Sequence, residues 1–361
     1  MKCTYTITGF PGFLAKHLIR DLVTNQYVSK LYLLVLPSMK SKARKMIETL
    51  ITNYAIEYEI IETDITEPSL NWEQSTFEKV SHDTTHLIHL AAIYDLAVSY
   101  ELANNVNVNG THHINQFAKS CPNLEHYVYY STAFISGDRE GVVYESDLTQ
   151  PVSFKNHYEQ TKYEAELLVE EIKSHVPTTI IRPGVVIGDS KRGETDKFDG
   201  PYFILNTLSS LQYAPILPYI GQHKARANFV PIDYIVAASI HLLHSETAIN
   251  KTFHLTDPRP YQAQAVYSMI TNHYLGRQPV GRMPFSLARF MLQFAIIRKW
   301  LGIAQEALDY FVCNVYHDCR ETLNELKGTG IICPDLATYL PQIINYYKKH
   351  QHDQTKHVSI K

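Results

Sequence analysis

The chain has 361 residues, 45% of them hydrophobic, and a formal net charge of −3 at pH 7. A single core stops growing near about 250–300 residues, so a second lobe is expected, and the hydrophobic content excludes global disorder. The slightly acidic balance argues against a general nucleic-acid binder, whose phosphate contacts require a basic face.

Taken in chain order, strand-like apolar runs at 2–8, 30–36, 57–62, 86–90, 126–131 and 178–182 alternate with amphipathic helical stretches at 14–24, 41–54, 104–119 and 158–174. Such alternation predicts an α/β fold of Rossmann type, a doubly wound parallel sheet covered on both faces. Ligands of these sheets bind beyond the carboxyl ends of the strands. The first run leads into Thr8-Gly9-Phe10-Pro11-Gly12-Phe13-Leu14-Ala15, so the glycines fall where a strand turns into a helix. Backbone N–H groups and the positive end of a helix dipole stabilise a pyrophosphate there, and Gly9 and Gly12 remove the side chains that would block it. Ala15 is small enough for close packing of helix on strand. The spacing is GxxGxxA rather than GxGxxG, and on its own it also fits an ordinary strand-to-helix turn.

The second run ends in Leu36-Pro37-Ser38, without the acidic residue that binds the ribose 2′-hydroxyl in NAD-specific folds. Lys40, Lys42, Arg44 and Lys45 follow. This cluster suits a 2′-phosphate, with Lys40 as the named contact, so NADP (NADPH) is expected over NAD. It also suits the solvated face of a surface helix. Further on, Tyr158 and Lys162 lie four residues apart on a predicted helix and share one face. An ammonium beside a phenol favours the phenolate and draws its pKa down from about 10. Tyr158 could then exchange a proton with a carbonyl or alcohol oxygen. Among 25 tyrosines the spacing also arises by chance.

Together, and in this order, these segments resemble the extended short-chain dehydrogenase/reductase family. The resemblance runs to about residue 258 and includes Asp64-Ile65, His89-Leu90-Ala91-Ala92, Asn107-Val108-Asn109-Gly110-Thr111, Tyr130-Ser131-Thr132-Ala133-Phe134, Arg182-Pro183-Gly184 and Phe229-Val230-Pro231-Ile232-Asp233. Within the family the chain looks most like the fatty acyl-CoA reductase, or male-sterility, branch and the related thioester-reductase domains. The resemblance implies that Gly9, Phe10, Gly12, Phe13 and Leu14 cradle the cofactor and that Asp64 and Ile65 flank its adenine. It implies that Ala91 and Ala92 let the backbone approach, that Arg182 and Pro183 border the nicotinamide, and that Asn107 supports a proton relay; any of these residues also fits a packing or turn role, and Arg182 fits an ion pair. Thr132 precedes Gly137 by the interval at which related enzymes carry a catalytic Ser or Thr. Ser131 is its neighbour, and on a regular strand the two face opposite sides.

The implied reaction is hydride transfer from NADPH to the carbonyl of an acyl thioester or aldehyde. Tyr158 would give the proton, Thr132 would bind the developing oxyanion, and Lys162 would hold the ribose. No cysteine adjoins these groups, so no covalent thioester intermediate is implied. A rival within the superfamily is an NAD-dependent nucleotide-sugar epimerase or dehydratase, which would retain tightly bound NAD. A rival of another class is a non-catalytic, dinucleotide-binding redox sensor, for which the set Thr132, Tyr158 and Lys162 has no use.

The layout expected is a nucleotide-binding domain over 1–183, to which parts of 184–258 return, a smaller, mainly helical substrate lobe over 184–349, and a flexible tail over 350–361. The polar stretch 193–200 reads as a lid. Beyond it, Pro201, Tyr202, Phe203, Pro215, Pro218 and Tyr219 suit a poorly polar, fatty substrate. Leu287, Phe290, Met291, Phe294, Ile297 and Leu301 recur at helical spacing among Arg282, Arg289, Arg298 and Lys299. They predict a helix packed on the core, or one lying on a membrane surface. Cys3, Cys121, Cys313, Cys319 and Cys333 are too scattered for a disulfide framework or a zinc site and read as reduced thiols. The early first strand leaves no room for a signal peptide and no apolar run spans a bilayer, so a cytoplasmic location is expected. The resemblance also admits a homodimer.

Overall fold

Seven parallel strands form the main sheet in the computed structural model, which describes residues 3–95, 97–220, 225–306, 308, 314–358 and 360. They are β1 (Cys3–Thr8), β2 (Val28–Val35), β3 (Glu57–Glu62), β4 (His86–His89), β5 (His126–Tyr130), β6 (Thr178–Pro183) and β7 (Thr252–Leu255). Their order across the sheet is β7-β6-β5-β4-β1-β2-β3. The chain works outward from β1 to β3 and then returns to β4 on the other side of β1. This reversal opens a crevice at the carboxyl ends of β1 and β4.

Successive residues of a strand point to opposite faces, so a sheet buried on both sides needs unbroken apolar runs. In β2, Leu31, Leu33 and Val35 enter one core, with α1 (Phe13–Thr24) and the helix Ile232–Leu243. Tyr32 and Leu34 enter the other, with Gln74–Asp83, Gly110–Lys119 and His157–Ile172. The observed elements start and stop within a few residues of those expected.

The remaining chain is put together differently. Three two-stranded parallel pairs join Val185–Ile187 to Phe229–Pro231, Tyr219–Ile220 to Arg282–Met283, and Gly141–Val143 to Val315–His317. Tyr202–Ser210, Ala263–Leu275 and Leu336–His350 close a third core. The stretch 285–301 is two short helices, Phe285–Met291 and Ala295–Leu301, rather than one. The break faces Leu292 inward but leaves Leu287, Phe290, Phe294, Ile296 and Trp300 exposed.

The segment beyond 350, expected to be free, folds back. Phe198 N donates to Lys356 O at 2.7 Å, and Phe198 pairs with His357 as an isolated parallel bridge. Cys121, Cys319 and Cys333 are buried, and Cys313 lies outside the described residues. Among the described residues no His, Cys, Asp and Glu cluster could hold a metal, and no helix is long and apolar enough to cross a membrane.

Candidate active site

A cleft of about 1380 Å³ opens over the carboxyl ends of β1, β4 and β5. A site for one drug-sized ligand occupies about 300–1,000 Å³, so this cleft has room for a cofactor and a substrate together. Residues 8–16 form one wall.

The turn after β1 admits no side chain at either glycine. Gly9 has φ +83°, and a Cβ there would lie 2.9 Å from Ala91 N; a Cβ on Gly12 would lie 2.6 Å from Gly9 O. The neighbouring Thr8 hydroxyl accepts from Leu90 N and Ala91 N, both at 3.0 Å. It also meets His89 Nδ1 at 2.8 Å, while His89 Nε2 meets Thr111 Oγ1 at 3.1 Å. Burial holds the His89 imidazole down at about 3, so the ring is neutral. α1 then begins at Phe13 with no capping side chain and no acidic residue in its first turn. Phe10, Phe13 and Leu14 line the cleft beside it. The arrangement fits the diphosphate of a dinucleotide, which requires close backbone approach and unopposed helix N–H groups.

Leu36, Lys42, Asp64 and Ile65 line the far end of this wall. Asp64 closes its own turn, accepting from Thr66 N at 3.0 Å and Thr66 Oγ1 at 2.7 Å. Lys40 is not in the lining: it opens its helix beside β3 and pairs with Glu62. Two residues further round, Lys42 reaches the cleft instead.

Tyr158 and Lys162 stand on one face of His157–Ile172, whose first turn is capped by Asn156 accepting from Glu159 N at 2.9 Å. Burial pushes the Tyr158 phenol above its ordinary range, with a hydrogen bond to Thr132 opposing. Lys162 is directed elsewhere. Its Nζ donates to Tyr129 Oη and to Tyr130 O, each at 2.7 Å, and lies 4.3 Å from the Tyr129 ring centroid. Burial draws the Lys162 ammonium down to about 7, with the Glu166 carboxylate opposing. Lys162 thus reaches back to the end of β5, and burial rather than its charge leads the shift of the phenol.

Thr132 and Ser131 both line the cleft, because the strand ends at Tyr130 and alternation no longer separates them. Thr132 accepts from Phe134 N at 3.3 Å, whereas the buried Ser131 Oγ finds no hydrogen-bond partner among the described residues. Asn107 is fully buried behind the lining, in a π-helical stretch, Asn104–Asn109. Its Oδ1 accepts from Ile93 N at 2.8 Å and its Nδ2 donates to Thr161 Oγ1 at 3.0 Å. It thus ties the loop after β4 to the helix of Tyr158. Ala91, Ala92 and Pro183 reach the cleft, but Arg182 does not. Arg182 is 1% exposed and held by Glu166, with its Nη1 donating to Glu145 O at 3.2 Å. A guanidinium buried against a carboxylate in this way supports the strand rather than a ligand.

Two lining residues escaped the sequence reading. The Tyr94 ring stands edge-on to Tyr158 with centroids 5.1 Å apart. His317 is 1% exposed, with its imidazole held down at about 4 by burial, and approaches Ser136 Oγ at 3.3 Å. Neither lies in a periodic segment or a recognisable spacing.

The male sterility protein family matches residues 7–239. A non-canonical nonribosomal peptide synthetase of Aspergillus campestris is 26% identical over 268 residues, which is 69% of this chain and 25% of that protein. A fatty acyl-CoA reductase of Drosophila melanogaster is 26% identical over 289 residues, 70% of this chain and 55% of that protein. The chain thus spans between a quarter and about half of the length of these curated relatives. The crystal structure of the terminal R domain from the myxalamid biosynthetic pathway superposes with a TM-score of 0.82 at 24% identity, covering 98% of this chain and 93% of that one. UDP-glucuronic acid 4-epimerase from Bacillus cereus, solved with NAD, gives 0.68 at 18% identity, covering 96% and 99%. At these identities the two structures show the shared fold alone. With a family match over residues 7–239, more than half of the chain, and a glycine turn whose geometry fits a diphosphate, the chain belongs to the male sterility protein family, an NAD(P)-binding branch of the extended short-chain dehydrogenases/reductases.

Proposed function

We propose that the chain is an NAD(P)H-dependent reductase acting in the cytoplasm on the carbonyl of an acyl thioester or aldehyde with an apolar chain. The carrying observation is that the half-buried Tyr158, Thr132 and Lys162 together line a cleft large enough for two ligands. A bound dinucleotide supplies the hydride. As the carbonyl oxygen gains charge, Thr132 would stabilise it and Tyr158 would donate its proton to it; an aldehyde ends as the alcohol, whereas a thioester gives a hemithioacetal whose C–S bond then breaks to release the thiol and the aldehyde. A phenol carries its proton at neutral pH, as donation to the carbonyl oxygen requires. Lys162 commits two of its three N–H donors to Tyr129 and Tyr130, leaving one for a ribose hydroxyl. Gly9, Phe10, Gly12, Phe13, Leu14, Asp64, Ile65, Ala91, Ala92 and Pro183 would contact the cofactor, and Asn107 would position the helix of Tyr158. Lys42 on the cleft wall and Leu36 at the end of β2 support NADPH over NADH.

The face built from Phe285–Met291 and Ala295–Leu301 supports contact with an anionic membrane surface. Phe290, Phe294, Ile296 and Trp300 are more than half exposed on it. The chain carries no Asp or Glu between Asp257 and Glu306, but has Arg259, Arg277, Arg282, Arg289, Arg298 and Lys299 there. A homodimer is proposed from the family resemblance alone.

The test of the reductase follows NADPH absorbance with a panel of fatty acyl-CoAs and aldehydes, with NADH as the cofactor control. Oxidation should require a carbonyl substrate, run faster with NADPH, and fall by about 10²–10⁴ in Tyr158→Phe. No turnover with any of them, together with NAD released on denaturation, would move the assignment to an epimerase or dehydratase.

A further inference from the structure

The cleft continues past Tyr158 to a wall made by the far end of the chain. The Tyr94 ring stands against Tyr158, and a Cβ built on Gly200 would lie 3.8 Å from Tyr94 Oη. Gly200 leads into Tyr202, Phe203 and Ile204, all of which line the cleft. Thr355, Lys356 and Val358 line it as well. Val358 and Ile360 pack with Phe203 in an apolar cluster that also takes in Phe285, Ala288 and Leu292.

This terminal segment is held chiefly by its backbone and by its polar side chains. Phe198 N donates to Lys356 O at 2.7 Å, Lys356 Nζ donates to Thr195 O at 2.7 Å, and Asp353 Oδ1 accepts from Thr355 N at 3.0 Å. Val358 takes no part in these contacts. Val358 instead packs on the apolar cluster, so a change in its size alters that packing and the cleft wall while these hydrogen bonds stay in place.

We propose that Val358, presented by residues 353–358 as a wall of the cleft, sets the length of acyl chain that fits between Tyr158 and the cluster around Phe203. The proposal rests on the reductase reading above and adds to it the residue that selects the substrate. Removing wall atoms lengthens the channel, and filling it shortens the chain that fits. Each methylene that gains or loses burial changes affinity by about fourfold.

The experiment measures kcat/KM for hexadecanoyl-CoA and butanoyl-CoA in the wild type, Val358→Ala, Val358→Trp and a chain ending at Asp353, with thermal unfolding of each. The ratio of long to short substrate should rise by at least about fourfold in Val358→Ala, fall by about tenfold in Val358→Trp, and rise most in the shortened chain. Val358→Ala only deletes atoms and decides the matter where the tryptophan variant or the shortened chain does not fold. A ratio within twofold of the wild type in Val358→Ala overturns the wall while leaving the reductase reading standing. No turnover of either substrate by the wild type overturns both.

Discussion

The half carrying the glycine turn and the half carrying residues 184–358 solve the same problem, shaping one wall of a cleft, by contacts of different reach. On the cofactor side the geometry is set within a few residues: Gly12 N donates to Gly9 O at 2.8 Å, and α1 starts directly after it. On the substrate side it is set by partners remote in sequence, such as Phe198 with Lys356, Tyr347 Oη donating to Asn206 Oδ1 at 2.8 Å, and Val315–His317 with Gly141–Val143. A wall built locally tolerates little change, whereas one built from distant segments can alter its lining while its scaffold persists.

Acid should break this contrast most completely, because most of the buried neutral histidines stand in the sheet half. Burial holds His86 and His89 at about 3 and His17 and His126 at about 4, and in the other half it holds His317 at about 4. The unfolded chain protonates these rings near pH 6.5. Their contribution is therefore complete above 6.5 and is lost as pH falls towards 3–4, by roughly 1.4 kcal/mol per pH unit for each ring. Urea unfolding at pH 7.5, 6.5 and 5.5 should show stability dropping with uptake of several protons. An uptake below one proton would mean that the rings titrate normally in the fold.

Gly12→Val sharpens the contrast next. The added side chain meets Gly9 O at 2.6 Å and stands where a diphosphate would approach, so NADPH affinity should fall by at least about 100-fold, with a stability cost of about 1–3 kcal/mol. Fluorescence titration with NADPH measures the first and thermal unfolding the second. Retained nucleotide binding would place the cofactor away from this turn.

The smallest effect belongs to the exposed face of the substrate lobe. Paired Phe290→Ser and Trp300→Ser should weaken sedimentation with vesicles of anionic lipid by about tenfold or more, since burying one such ring is worth about 1.5–3 kcal/mol. Turnover of a water-soluble short aldehyde should persist. Equal sedimentation of wild type and variant would show that the face meets water.

The same difference in reach explains what could be read from the chain. Periodicity predicts the alternation of β1 to β6 with their helices, because each element buries its own pattern. The glycine turn and the Tyr158–Lys162 spacing carry their geometry in adjacent residues. Tyr94 follows β4 in an irregular loop, and His317 becomes a lining residue only because Val315–His317 pairs with a strand more than 170 residues earlier. The polar composition of 350–361 points to mobility, yet Phe198 N donating to Lys356 O and Lys356 Nζ donating to Thr195 O anchor the chain at Lys356. Arg182 shows the converse: its Arg-Pro-Gly setting is legible, but only the fold places Glu166 against it.

The Thr8 hydroxyl, which accepts from Leu90 N and Ala91 N while meeting His89, has a mechanical consequence. It rivets the tip of β1 to the tip of β4 at the crevice, with Gly9 pressed against the same backbone. The two strands cannot scissor apart there without exposing several polar groups at once. A ligand entering the crevice therefore meets a braced surface on this side, an anvil formed by the two strand tips.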